Sequence, residues 1–187
     1  MRWEALFADL ETQLEAAQTA EFNAALAEAS RLEASRVEFA ERLRAHRHRE
    51  LGLHVWGGQR LDVRIEAVGS DWLSGALPQH SVLVPLRSIL AVEGMARAAA
   101  RSEPSAARRR LGIMAPLRSL ARDRAQVSVI GVHGLLAAGL IATAGRDFVD
   151  IVPVSAEGRS RADAGRAART IPLHAVAWFR GEGPDLD

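Results

Sequence analysis

The sequence predicts a mainly β protein in which a long N-terminal α-helix precedes two tandem five-stranded small barrels, joined by a basic linker and a short helix. Three observations predict this class. The first 50 residues contain neither Gly nor Pro, polar and apolar residues alternate about a Gly-Gly pair, and one strand-rich unit occurs twice. The predicted segments are a helical segment 1–50, a first barrel 51–95, a linker with a short helix 96–124, a second barrel 125–182 and a tail 183–187.

The N-terminal segment is dense in Ala, Glu, Leu and Arg, which are strong helix formers. Its apolar residues recur at three- and four-residue spacing and therefore share one helix face, namely Trp3, Phe7, Leu10 and Leu14. A continuous helix of this length would extend about 70 Å, more than a small barrel can cover. We therefore expect this stripe to be an interaction face for a partner helix, a second subunit or a fold-back of the chain.

The repeat is found by laying the second half of the chain on the first without gaps. The matched pairs are Leu51 with Val127, Leu53 with Val129, Gly58 with Gly134, Ile65 with Ile141, Gly69 with Gly145, Asp71 with Asp147, and Trp72 with Phe148. After a longer loop in the second copy, VPLRSILAVEG (84–94) matches IPLHAVAWFRG (171–181). Both copies are therefore expected to fold alike.

Within the first copy, LHVWGGQRLDVRIE alternates apolar and polar residues about Gly57 and Gly58, which predicts a half-buried β-hairpin. Trp72 opens a third strand, and residues 81–84 and 89–93 form the fourth and fifth. Pro85 lacks an amide hydrogen, so it should end a ladder before a tight turn over residues 86–88. Five short strands of this kind form a small barrel.

Residues 127–144 are apolar enough to suggest a membrane span or a buried helix as well as strands. The first copy carries charged residues in the same register, namely Arg60, Asp62, Arg64 and Glu66. The alignment therefore favours strands over a helix, and no membrane association is expected.

The net charge is only +1, but the charges are unevenly distributed and the middle of the chain is basic. Residues 96–124 hold eight arginines against Glu103 and Asp123, including Arg108, Arg109, Arg110, Arg118 and Arg122. Residues 96–110 read as a polar linker, residues 111–124 as a short helix whose start is set by Pro116, and residues 159–168 as a loop.

Catalytic and metal-binding motifs are not legible in the sequence. The chain has no Cys, which excludes disulfides, thiolate catalysis and Cys-ligated zinc. His46 and His48 point apart on a predicted helix, and Gly57 and Gly58 lack the Lys and Ser or Thr of a phosphate loop. We therefore expect a non-enzyme without metal or cofactor, and a cytoplasmic one, because acids interrupt the start of the chain where a signal peptide is apolar.

The paired Asp and aromatic residues at the third-strand entrances have two interpretations. We expect Asp71 and Asp147 to accept hydrogen bonds from turn amides, with a ligand-facing role as the alternative. Trp72 and Phe148 are expected to point into the core, rather than to serve as platforms for stacked bases.

These motifs resemble the Sm-like fold. The resemblance rests on a helix, an apolar strand, a glycine turn, the I-x-x-x-G-x-D-aromatic third-strand entry and the final VPL-x-x-I or IPL-x-x-V strand pair, over roughly residues 36–94 and 114–181. The chain resembles a tandem Sm-like protein of the type found in high-GC bacteria. Sm-like proteins commonly assemble as rings and bind RNA, so the resemblance implies both properties here. The Arg-Gly of the second Sm motif is absent from VPLRSIL and from IPLHAVA, and Arg87 and His174 are the polar residues in that turn.

The sequence thus predicts a non-enzymatic binding protein that forms a homo-oligomer, through either barrel edges or helix pairing. One function is nucleic-acid binding, with RNA favoured over DNA, by Arg87, Arg108, Arg109, Arg110, Arg118, Arg122 and His174. The alternative is a protein-interaction or oligomerisation scaffold acting through the N-terminal helix.

Overall fold

The computed structural model describes residues 2–96, 110–154 and 168–181. Most of the predicted basic linker, the predicted loop 159–168 and the predicted tail lie outside these ranges. The chain divides into a helical unit that ends at Glu38 and a β-rich unit that begins at Phe39. The two units are described separately below.

The helical unit consists of α1, Arg2–Ser35. Its length follows from the absence of Gly and Pro and from the strong helix formers that fill it. Phe7 and Leu14 of the predicted stripe are each 59% exposed within this unit. The side chains of Trp3 and Leu10 lie outside the described part of the structure. The helical segment predicted over residues 1–50 is interrupted after Ser35, and a second short helix follows.

The β-rich unit begins with helix α2 (Phe39–Arg44), and its described residues also include helix α3 (Met114–Arg122) and ten strands. The strands are β1 Glu50–Val55, β2 Gln59–Val68, β3 Trp72–Ala76, β4 Ser81–Pro85, β5 Ile89–Glu93, β6 Gln126–Gly131, β7 Gly134–Ala144, β8 Phe148–Val152, β9 Arg169–Pro172 and β10 Val176–Gly181. Short 3₁₀ turns, Leu86–Ser88 and Leu173–Ala175, join β4 to β5 and β9 to β10. The five strands expected in the first copy are confirmed, and so are strands rather than a helix over 127–144.

All ten strands form one antiparallel sheet in the order β5-β1-β2-β3-β4-β10-β6-β7-β8-β9. The sequence repeat is visible in the backbone. The β2–β3 ladder shifts register after Ile65, and the β7–β8 ladder shifts at the equivalent Ile141. His48 and Arg124, which the same alignment matches, both have positive φ values where the chain leaves a helix.

Two clusters of buried residues form the core. The first contains Leu43 of α2 and residues of β1 to β4, and the second contains Leu117 of α3 and residues of β6 to β10. The clusters exchange residues across the middle of the sheet. Trp72 and Leu83 of the first half lie in the second cluster, and Ile130 and Trp178 of the second half lie in the first cluster. The two halves therefore share their cores and belong to one unit.

Candidate assembly interface and adjacent cleft

Strands β4 and β10 join the two halves of the sheet. Leu83 pairs with Phe179 and Val82 pairs with Arg180. Leu83 is 2% exposed and Phe179 is 1% exposed, so this pair of apolar side chains is almost completely buried. The junction links the fourth strand of one half to the fifth strand of the other, and it is therefore a head-to-tail contact between two similar units.

Polar side chains reinforce the same junction. The buried Ser88 hydroxyl lies 2.8 Å from the carbonyl oxygen of Pro85 and 2.5 Å from that of Ala177, so its single hydrogen can be donated to either half. The Trp178 indole donates from Nε1 to Oε1 of Gln59 at 3.0 Å. Each of these groups would be costly to leave unpaired in a buried position.

A second contact between the halves forms at the turn before β3. The Trp72 indole Nε1 donates to the carbonyl oxygen of Leu111 at 2.9 Å, and the Ser70 amide donates to the same oxygen at 3.1 Å. The Asp71 carboxylate accepts the backbone N–H of Ile113 at 2.7 Å. Asp71 therefore has a structural role, as expected. Its backbone partner, however, lies just before α3 and not in the local turn.

The equivalent turn before β8 has the same backbone hydrogen bond, but its aromatic residue is more exposed. Gly145 donates to the Phe148 carbonyl oxygen at 3.0 Å, as Gly69 does to that of Trp72 at 2.9 Å. Trp72 is only 6% exposed, which confirms its expected core position, whereas Phe148 is half-buried. The expectation that Phe148, like Trp72, lies in the core is therefore met only in part. Trp72 has an additional contact with Leu111 through its indole hydrogen bond.

Strands β5 and β9 form the two ends of the sheet in the part of the chain that the structure describes. Strand β5 pairs with β1 and β9 pairs with β8. An edge strand presents unpaired N–H and C=O groups on its outer side, which can pair with another chain. The two ends are a fifth strand and a fourth strand, the same combination that β4 and β10 already pair within the chain.

The β5 edge carries an acidic group held by two basic ones. Glu93 lies 2.7 Å from Nε2 of His54 through Oε1, and Arg60 Nε donates to its Oε2 at 3.1 Å. The hydrogen bond from His54, and then that from Arg60, lower the pKa of the Glu93 carboxyl below its ordinary value. Glu93 is therefore ionised at neutral pH. Leu90, on the same strand, is 63% exposed.

The β9 edge is polar and basic. Arg169 and Thr170 are both exposed, whereas the following Ile171 is buried. Thr170 Oγ1 donates to Oδ1 of Asp150 at 2.5 Å, and the Arg169 guanidinium donates to the carbonyl oxygen of Leu136. One end of the sheet thus presents a carboxylate and the other a guanidinium.

A cleft of about 590 Å³ lies between β2, β3 and α3. Its charged lining comprises Arg47, His48, Arg64, Glu66 and Asp123, and the buried Trp72 and Leu83 also contribute to its walls. Arg47 donates from Nε to the carbonyl oxygen of Glu66 at 2.9 Å. The lining therefore holds two arginines and two carboxylates, and their formal charges balance.

The structure does not bring the predicted nucleic-acid residues into this cleft. Arg118 and Arg122 lie one helical turn apart on α3, and Arg87 and His174 occupy equivalent positions in the two 3₁₀ turns. Arg118 also donates to the Gly145 carbonyl oxygen at 3.3 Å. The described members of the set, Arg87, Arg110, Arg118, Arg122 and His174, are all exposed. Arg108 and Arg109 lie outside the described residues.

Sequence reasoning did not single out Glu93, Arg169 or the cleft residues Arg47 and Arg64 as functional. Glu93 lies within the matched segment 84–94, and Arg169 lies two residues before the matched segment 171–181. The repeat alignment could therefore have identified both positions. The cleft had no such signal, because α3 lies far along the chain from Arg47.

Among residues 2–96, 110–154 and 168–181, no cluster of three or more His, Asp or Glu could hold a metal ion. No described helix is long and apolar enough to cross a membrane. No protein-family model, curated protein or solved structure shows significant similarity to the chain.

Proposed function

We propose that the protein is a non-enzymatic assembly module in which two Sm-like small barrels associate with further copies through the edges of their sheet. The observation that carries this proposal is the β4–β10 junction. It joins a fourth strand to a fifth strand within one chain and leaves one strand of each kind at the ends of the described sheet. A head-to-tail contact of this kind can be repeated between copies, giving a ring when the rotation closes.

The Sm-like interpretation draws support from the strand order within each half. The fifth strand returns beside the first, in β5–β1 and in β10–β6, and each half contributes five short strands with a 3₁₀ turn before the last one. Five strands in which the last returns beside the first suit a small barrel. The motifs that resemble Sm-like proteins fall on these same elements.

The exposure of Leu90 indicates which end of the sheet another copy would cover. It is 63% exposed on β5, whereas Ala177, at the equivalent position of β10, is fully buried. Strand β10 is paired with a neighbour on both sides, whereas β5 is paired on one side only. The greater exposure of Leu90 is therefore what an unoccupied interface at the β5 edge would produce. Assembly through this edge would bury Leu90.

We therefore expect Leu90→Asp to convert the assembled protein to single chains while leaving it folded, because a charge would enter a closely packed ladder. The matched control is Leu135→Asp. Leu135 is 62% exposed but lies beside the β6–β7 hairpin turn, away from both end strands of the sheet. Multi-angle light scattering gives the mass of each variant, and circular dichroism reports on folding.

Removal of residues 1–30 distinguishes assembly through the strand edges from assembly through the N-terminal helix. Edge assembly predicts that the truncated protein keeps its multimeric mass. A full-length protein that is strictly monomeric, or a mass that is lost on truncation and kept in Leu90→Asp, would refute edge assembly. The second result would assign assembly to the stripe that contains Phe7 and Leu14.

Nucleic-acid binding is the second candidate function. The observation that favours it is that every described member of the predicted set is exposed, including Arg118 and Arg122 on one face of α3. Arginine guanidinium groups form bidentate contacts with phosphate, and such contacts fix position without reading sequence. RNA is the favoured nucleic acid because of the resemblance to Sm-like proteins.

If about five phosphates of a single strand are neutralised, the logarithm of RNA affinity should fall against the logarithm of salt concentration with a slope of about −3.5. Replacing Arg118 and Arg122 with Gln should make the slope less negative by about 1.4. The control replaces Arg31 and Arg36 of the helical unit and should leave the slope unchanged. Fluorescence anisotropy with a labelled single-stranded RNA measures both, and undetectable binding at about 50 mM salt would eliminate this candidate.

A further inference from the structure

Resting on the proposed assembly, we propose that β9 of one copy pairs antiparallel with β5 of the next, with Arg169 opposite Glu93, in a polar junction that salt weakens. The partner is a second copy of this chain. The junction within the chain is mainly apolar, whereas the junction between copies carries opposite charges.

The repeat fixes which residues correspond. Val84 aligns with Ile171, so that Leu83 corresponds to Thr170 and Val82 to Arg169. The backbone agrees, because Pro85 pairs with Trp72 just as the equivalent Pro172 pairs with Phe148. The same alignment places Val92 on Phe179 and Glu93 on Arg180.

The β4–β10 register can therefore be transferred to the free edges. The Leu83–Phe179 pair becomes Thr170 opposite Val92, and the Val82–Arg180 pair becomes Arg169 opposite Glu93. Opposite charges placed directly across an antiparallel ladder stabilise it. The register was taken from the apolar junction alone, so the meeting of a cation and a carboxylate is an independent observation in its favour.

The local environment of both charges suits this pairing. Glu93 is held at the edge by His54 and Arg60 and remains ionised. Arg169 is exposed and bonded to a backbone carbonyl instead of a carboxylate. Glu93 can accept a further donor, because two carboxylate oxygens offer about four lone-pair sites.

The charges also favour one arrangement. The β5 edge presents a carboxylate and the β9 edge a guanidinium, so pairing of two β5 edges or two β9 edges would place neither charge opposite its counterpart. The head-to-tail arrangement places Arg169 opposite Glu93. This arrangement also returns a fourth strand to a fifth strand, as in the β4–β10 junction.

The composition of the two junctions implies different strengths. Within the chain, Leu83 and Phe179 are almost fully buried. Between copies, Thr170 and Arg169 replace Leu83 and Val82, Val92 replaces Phe179, and Glu93 replaces Arg180. Exposed ion pairs are screened at an ionic strength near 1 M, where the Debye length is about 3 Å. Salt should therefore weaken the contact between copies without separating the two halves of a chain.

Cysteine cross-linking tests the register, since the native chain contains no Cys. One preparation carries Val92→Cys and the other Thr170→Cys, and they are mixed at about 1 M salt, returned to low salt and oxidised. Residues directly opposite in an antiparallel ladder lie close enough for a disulfide. We expect a disulfide-linked pair of chains in the mixture and none with either preparation alone. The control, Val132→Cys mixed with Thr170→Cys, should give no product.

Light scattering on the native chain over a range of protein concentrations, at about 50 mM and about 1 M salt, tests the contribution of charge, with association about fivefold weaker expected at 1 M salt. Arg169→Gln should raise the dissociation constant about fivefold, equivalent to about 1 kcal/mol. Multimers that do not cross-link, or that persist unchanged at 1 M salt, would overturn this junction while leaving edge assembly standing. A native chain that is monomeric at low salt would overturn both.

Discussion

Replacing Trp72 with Ala should lower the free energy of unfolding by about 3–5 kcal/mol, as truncation of a core aromatic does. Trp72 is 6% exposed and lies in the same buried cluster as Ile113 and Leu117. The substitution also removes the indole donor from the Leu111 carbonyl oxygen. Since Trp72 comes from the first half and its neighbours from the second, the loss should weaken the contact between the halves. Urea denaturation followed by circular dichroism measures the effect.

Phe148→Ala is the matched control for this prediction, since the repeat places Phe148 at the equivalent position. Phe148 is half-buried, whereas Trp72 is only 6% exposed. Less apolar surface is removed from contact, so we expect a loss of about 1–2 kcal/mol. A loss below about 1 kcal/mol for Trp72→Ala, or equal losses for both variants, would contradict the packing described above.

The strands were predictable because two imperfect copies of one unit constrain each other. Residues 127–144 taken alone fit a helix as well as a strand. The charged residues at matching positions of the first copy, such as Arg60 and Asp62, are compatible only with a sheet that has one solvated face. The same argument fails for the N-terminal segment, which has no second copy. The end of α1 at Ser35 therefore had no sequence signal, since neither Gly nor Pro marks it.

The junction between the halves was not predictable from local pattern. Alternation indicates which residues face inward but not which strands become neighbours, so the β4–β10 ladder had no visible signal. The site residues depend on that ladder. The partner of Asp71, the backbone N–H of Ile113, lies well beyond any local turn. The hydrogen bond of Trp72 to the Leu111 carbonyl oxygen is another long-range contact that the aligned sequences do not reveal.

The second large effect is expected at Gly139, in the middle of β7. Its φ angle of +153° is one that residues with a side chain rarely adopt, and an added Cβ would collide with the carbonyl group of Val152 on β8. Both groups belong to backbone within a ladder, so neither can move without breaking hydrogen bonds. Backbone strain of about 1–3 kcal/mol and overpacking of about 1–3 kcal/mol together predict that Gly139→Ala destabilises by about 2–6 kcal/mol.

Gly134 separates these two causes. It also has a positive φ angle, of +111°, but an added Cβ there would meet no atom within 4 Å. Gly134→Ala should therefore show only the strain, about 1–3 kcal/mol, in the same denaturation measurement. Equal losses at the two positions would show that the Val152 contact is unimportant. The first half supports the distinction, because the residue matched to Gly139 there is Val63, fully buried in an ordinary ladder with β1. The glycine is therefore required by the local path of β7 beside β8, and Gly139→Ala should disturb the second half of the sheet first.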